Sequence, residues 1–170
     1  MFYVSTTFIK DGLSVNIAIR KLLKHNIKNI ELGSNHCFEK KYSFLKKNNI
    51  NYCVHNYFPI PKESFVVNIA SQKKVIRYKS LKHIKKAIKF SKNIDAKLYT
   101  FHPGFVTDPE GSNISKKNYD FLWSKRKLEI SNYSKSWHLM IKSIKEIIKF
   151  AKKYGIKIAI ESEGSVGSKK

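Results

Sequence analysis

The sequence predicts an α/β protein built on a parallel sheet, and three observations carry that prediction. Short apolar runs alternate with amphipathic helical patterns almost from the first residue. Five of those runs are rich in β-branched or aromatic residues and short enough to be buried strands. Three of the five end in a residue that can bind a cation: His55 ends NYCVH, His102 ends KLYTFH and Glu161 ends IKIAIE. In a parallel α/β architecture the carboxyl ends of all strands lie on one side, where ligands and metals are held. Two imidazoles and a carboxylate converging there form the nucleus of a divalent-metal site.

Taken in order, FYVSTT (residues 2–7) is the first predicted strand. Ser14 can cap a helix whose apolar face is Val15, Ala18, Ile19, Leu22 and Leu23. KNIEL is the second strand, ending near Glu31, and Phe38, Tyr42 and Leu45 form the stripe of a short second helix. INYCVH is the third strand, followed by the long loop NYFPIPKESFVVNIAS. A long helix is predicted over roughly 72–93, with Val75, Tyr78, Leu81, Ile84 and Ile88 on its apolar side. AKLYTFH is the fourth strand and runs into Pro103-Gly104. Residues 105–132 are too long for a simple connection, and segments of that size are usually functional or mobile. The last helix carries Trp137, Met140, Ile141, Ile144, Ile147, Ile148 and Ala151 at helical spacing, with Gly155 at its C-cap. IKIAIE is the fifth strand, and SEGSVGSKK has no element to form.

Repeated strand–helix units imply right-handed crossovers, which fit either an open doubly wound sheet or a (β/α)8 barrel. Neither a GxGxxG fingerprint nor a GxxxxGK[ST] phosphate loop is present, which weakens the nucleotide-binding open sheet. A (β/α)8 barrel typically takes ~250 residues. The expectation for these 170 residues is therefore one partial domain over 1–170, an incomplete barrel of five parallel strands.

The formal charge is +22, from 34 Lys and Arg against 12 Asp and Glu. Such a balance can mark a nucleic-acid or anionic-membrane partner. Arg, however, occurs only at Arg20, Arg77 and Arg126, and bidentate phosphate and base recognition favours Arg. Lys scattered over helix faces, with abundant Ile and Asn, reads as a solvated surface and an AT-rich coding bias. Only nonspecific nucleic-acid binding is expected. Cys37 and Cys53 form no CxxC pair, Cys53 reads as a small buried hydrophobe, and a reducing cytoplasm fits. No basic leader with an apolar stretch opens the chain, and no apolar run approaches the ~20 residues of a membrane helix.

Four stretches together resemble the xylose-isomerase-like barrel superfamily, which unites sugar isomerases and epimerases with abasic-site nucleases of the endonuclease IV class. They are IEL at 30–32, VHNYF with FVVNIAS, TFHPGF at 100–105, and IAIES at 158–162. FVVNIAS and TFHPG at this spacing are the most specific, and the likeness runs over nearly the whole chain but only the first five strands of the family fold. The resemblance implies that His55 and His102 match metal histidines of the nuclease branch, and that Glu161 matches a metal glutamate of both branches. In the epimerases that glutamate also moves the substrate proton. Glu31, Asn56 and Asn68 would then sit on the same rim and contact substrate hydroxyls. The implied cofactor is a divalent cation (Zn, Mn, Mg or Co) and the implied substrate a sugar or sugar phosphate. An abasic-site nuclease and an inactive half-barrel that only binds a partner are the alternative readings.

Other residues carry blander expectations. Glu31 could instead cap a helix, and Glu163 reads as a solvated loop acid. His25, His83 and His138 read as surface, while His36 lies near the rim. Tyr57 and Phe58 could stack on a sugar ring or anchor their loop. Open sheet edges would favour self-association.

Overall fold

The computed structural model of the protein describes residues 2–46, 49–112, 121–123 and 130–161. The helix over Val15–Leu23 (α1) follows the short strand Val4–Ser5 (β1), and the second strand is Asn29–Leu32 (β2). Asn51–His55 (β3) leads through a long loop into the helix Lys74–Asn93 (α2), and Leu98–Phe101 (β4) follows. Gly111–Ser112 (β5) and Phe121–Leu122 (β6) pair as an antiparallel ribbon, before the helix Ile130–Tyr154 (α3) and the strand Lys157–Ile160 (β7). The main sheet has the order β1-β2-β3-β4-β7, with every pair parallel. That order, with a crossover between each pair, is how a barrel begins. Among the described residues no helix is long and apolar enough to cross a membrane.

Two predicted elements are shorter than expected, each for a local reason. The first strand stops at Ser5 because the Ser5 hydroxyl accepts a hydrogen bond from Thr7 N and caps a 3-10 turn over Thr6–Phe8. The second helix is reduced to a 3-10 turn at Ser43–Lys46. Its leading residues are used elsewhere. Glu39 Oε1 accepts from both the Ser14 hydroxyl (2.8 Å) and Val15 N (3.1 Å) and completes the N-terminus of α1. Cys37 N bonds Leu13 O, which holds residues 37–39 against the β1–α1 loop. Tyr42 and Leu45 still reach the core, whereas Phe38 is exposed.

The buried faces of α2 and α3 also differ from the large-residue stripes in the sequence. On α2 the buried positions are Ser80, His83, Ile84, Ala87, Ile88 and Ser91, while Val75 and Tyr78 are 79% and 67% exposed. Ser80 and Ser91 return their hydroxyls to Ile76 O and Ala87 O, one turn back, so small polar residues can face the sheet without an unmet donor. On α3, Ser136, Ser143, Ile147 and Ala151 are buried, and Trp137 and Ile148 are exposed.

His83 is the plainest departure: it is buried, not on the surface. Burial pushes its pKa down to about 4, against a backbone hydrogen bond to Asn56 that favours the charged form and with Lys86 adding repulsion. The unfolded chain takes up this proton near the ordinary value of 6.5, the folded chain only near 4. Folding stability should therefore fall as pH drops from about 6.5 towards 4, by on the order of 1–3 kcal/mol from this group. Urea unfolding at pH 7 and pH 4.5 measures it. His83→Gln should reduce the difference between the two, and an unchanged difference in that variant would mean that His83 does not supply it.

Candidate metal centre

Successive side chains of a strand face opposite sides, so register fixes which residues share a face. Ser5 pairs with Glu31, Glu31 with Cys53, His55 with Thr100, and Thr100 with Ala159. These residues share one face, which is polar, and His102 and Glu161 continue it just beyond the last residues of β4 and β7. The opposite face is Ile30, Leu32, Tyr52, Val54, Tyr99 and Phe101, buried in the hydrophobic core under the helices. The strands are therefore amphipathic in a way that a continuous apolar reading of each run does not show.

At the carboxyl end of the polar face, His55, His102 and Glu161 meet. One ligand atom from each lies within 4.8 Å of the others. His55 Nδ1 is 3.4 Å from Glu161 Oε1, and His102 Nε2 is 3.9 Å from Glu161 Oε2. The two imidazoles stand edge to face, with centroids 5.3 Å apart. Thr100 Oγ1 lies 2.7 Å from His55 Nδ1 and fixes the rotation of that ring. The Glu161 side chain remains 44% exposed, so the cluster is open to ligands. Two imidazoles and a carboxylate are a donor set for a divalent cation. Ligands at ~2.0–2.2 Å from a shared ion lie up to about 4 Å apart, so a separation of this size fits with small side-chain adjustments.

The other sequence-predicted residues are placed as follows. Glu31 is half-buried on the same polar face, in the strand next to β3. Cys53 lies under the influence of both carboxylates: burial, then Glu31 and Glu161, push its thiol up to about 12. It remains a protonated, buried group. Asn56 follows His55 with a left-handed backbone (φ 44°) and is nearly buried, its side-chain oxygen without a hydrogen bond among the described residues.

Asn68 departs from a rim position. It is fully buried, and its amide is committed to the protein. Its Nδ2 donates to Thr107 O and Asp108 Oδ1, and its Oδ1 accepts from Ala70 N and Phe105 N. Ile69 N also bonds Pro103 O, and Ser80 and Ser143 tie residues 68–69 to α2 and α3. FVVNIAS and TFHPGF are thus two halves of one latch that carries His102. Asn68 holds the loop; a substrate has no donor or acceptor of its amide left to meet.

Phe58 is wholly buried, and the Tyr57 hydroxyl accepts from Val67 N, so both aromatics anchor their loop. His36 is buried and its Nδ1 bonds Leu13 O, while His25 and His138 are exposed. In the long β4–α3 connection, Trp123 packs on Phe105 with ring centroids 4.5 Å apart. Arg126, Glu163 and the SEGSVGSKK tail lie outside the described residues.

Comparison with known proteins agrees with this fold. The family profile described as "xylose isomerase-like TIM barrel" matches residues 35–169. A D-tagatose 3-epimerase-like protein superposes with a TM-score of 0.62 at 20% identity, covering 94% of this chain and 55% of its own. D-psicose 3-epimerase, solved in the presence of D-fructose, gives 0.62 at 14% identity, covering 92% and 50%. A Thermus thermophilus protein soaked with ZnCl2 gives 0.57 at 9% identity, covering 94% and 54%. The chain thus spans about half the length of these solved structures, and at such identities the likeness is one of fold. No curated protein matches the chain. With five parallel strands in barrel order, and with the profile spanning most of its length, the chain belongs to the xylose isomerase-like TIM barrel family.

Proposed function

We propose that the chain contributes the first half of the active site of a divalent-metal-dependent sugar or sugar-phosphate isomerase or epimerase. The observation that carries the reading is the convergence of His55, His102 and Glu161 at the carboxyl ends of β3, β4 and β7. His55, His102 and Glu161 would hold the cation, which when bound polarises the substrate's carbonyl and hydroxyl oxygens. Glu161 would take the proton from the carbon next to that carbonyl. Return of the proton to the other face of the same carbon gives an epimer, and its return to the neighbouring carbon, with a hydroxyl proton moving to the old carbonyl oxygen, gives an isomer. Glu31, on the same face, and Asn56, beside His55, would bind substrate hydroxyls.

The test is proton exchange. The protein is incubated with Mn²⁺ or Co²⁺ and a ketohexose or its phosphate in D₂O, and deuterium entry next to the carbonyl is followed by NMR. Deuterium that enters with the wild type and not with Glu161→Gln supports the reading. A full-length barrel containing this chain that binds metal and exchanges nothing would end it. The presence of two histidines favours one second reading, an abasic-site nuclease. Metal-dependent nicking of an abasic duplex, absent on intact DNA, would promote it over the first.

One physical consequence concerns the isolated chain. The outer edges of β1 and β7 have no strand partner among the described residues, and Phe2, Phe8 and Ile160 beside them are exposed. Residues 1–170 alone should self-associate with rising concentration. Sedimentation velocity reads this directly, and a single monomer boundary across a hundredfold range would show those edges to be satisfied some other way.

A further inference from the structure

The backbone beside His55 is held by two side chains that lie on the helix side of the sheet, away from the polar face. Asn56 N donates to Thr100 O at 2.7 Å and continues the β3–β4 ladder. The Asn56 carbonyl then accepts two hydrogen bonds, from the Tyr99 hydroxyl at 2.8 Å and from His83 Nε2 at 3.3 Å. Both peptide units flanking this left-handed residue are therefore pinned. A non-glycine residue in that conformation persists where its surroundings over-determine it. Tyr99 is fully buried and His83 nearly so, and neither is a member of the ligand cluster. The His83 ring is itself packed edge-on against Phe65, with centroids 5.6 Å apart, and lies tilted against Tyr57 at 6.2 Å.

We propose that His83 and Tyr99 are positioning residues for His55, acting through the shared carbonyl of Asn56. The proposal rests on the reading of His55, His102 and Glu161 as a metal centre. A burial-lowered pKa keeps His83 neutral near pH 7, with an N–H for the carbonyl and no charge to bury. Removing either donor leaves a buried carbonyl short of one partner and lets the turn after β3 relax. The imidazole one residue earlier would then lose its orientation towards Glu161 and Thr100.

The experiment uses Tyr99→Phe, which deletes one oxygen atom, with His83→Leu and His83→Gln. Co²⁺ affinity is read by visible absorption, and the His55 imidazole resonances are read by NMR without metal. Tyr99→Phe and His83→Leu should each weaken Co²⁺ binding about tenfold and shift the His55 resonances. His83→Gln, which keeps a donor, should recover much of the affinity. If His83→Leu does not fold, Tyr99→Phe and His83→Gln decide the matter. Wild-type Co²⁺ affinity and unmoved His55 resonances in Tyr99→Phe would overturn the proposal, even if that variant melts earlier. Should the wild type bind no Co²⁺, the metal-centre reading fails, and the proposal is then decided by the metal-free His55 resonances alone.

Discussion

Replacing Glu161 with alanine is expected to weaken divalent-metal binding by at least about 100-fold while leaving the fold intact. The size of the effect follows from geometry. Glu161 faces both histidines, at 3.4 Å and 3.9 Å, and is the only carboxylate in the cluster formed by the described residues. Without it the two imidazoles bring no negative charge to offset that of the cation. The fold should survive because the side chain is 44% exposed and follows the last residue of β7, outside the hydrophobic core. Glu161→Gln separates charge from shape, because it keeps the size and one acceptor and loses the negative charge. Isothermal titration with Zn²⁺ or Co²⁺, beside far-UV circular dichroism, measures both halves. Wild-type affinity in Glu161→Ala would show that the ion sits elsewhere, and loss of helical signal would show that the carboxylate supports the fold.

The site is legible in the sequence because its residues obey a rule visible in one dimension: each follows a short apolar run, and a parallel sheet brings such ends together. Seeing His55, His102 and Glu161 needs no knowledge of side-chain contacts. The alternation inside the runs is harder to see. Cys53 and Thr100 are small enough to pass in an apolar run, yet they face the same side as Glu31. Helix faces are the least legible part. Val75, Tyr78, Trp137 and Ile148 hold helical spacing and are exposed, because α2 and α3 turn serines and alanines to the interior. His83 is hidden for the same reason. It sits among lysines in sequence, and only its spacing from Ser80, Ala87 and Ser91 marks the buried side. The missing second helix traces to Glu39, whose partners Ser14 and Val15 lie 24–25 residues away, beyond any local pattern. Asn68 follows the same logic: a polar residue in a loop motif signals a constraint, and only three dimensions show that the constraint is the opposing loop.

That opposing loop gives the second large effect. Gly104→Ala should destabilise the protein by about 3 kcal/mol or more, through a clash added to backbone strain. Gly104 has φ +112°, and a Cβ there would stand 2.2 Å from Asn68 Oδ1 and 2.7 Å from the Asn68 Cα. The second of these is backbone, held by Asn68 N to Ser80 and Ile69 N to Pro103, so it cannot swing aside as a side-chain tip would. Pushing Asn68 away also strands Ala70 N and Phe105 N, both bonded to its Oδ1. Gly12 provides the control. It too has a positive φ, +76°, but a Cβ there meets nothing within 4 Å. Gly12→Ala should therefore cost only the conformational strain, about 1 kcal/mol. Urea unfolding midpoints of the two variants against wild type isolate the clash. Because Pro103 and Gly104 directly follow His102, Gly104→Ala should also weaken metal binding at temperatures where it remains folded, and Gly12→Ala should not. Equal midpoints for the two alanine variants would mean that the FVVNIAS and TFHPGF segments do not interlock as they do here.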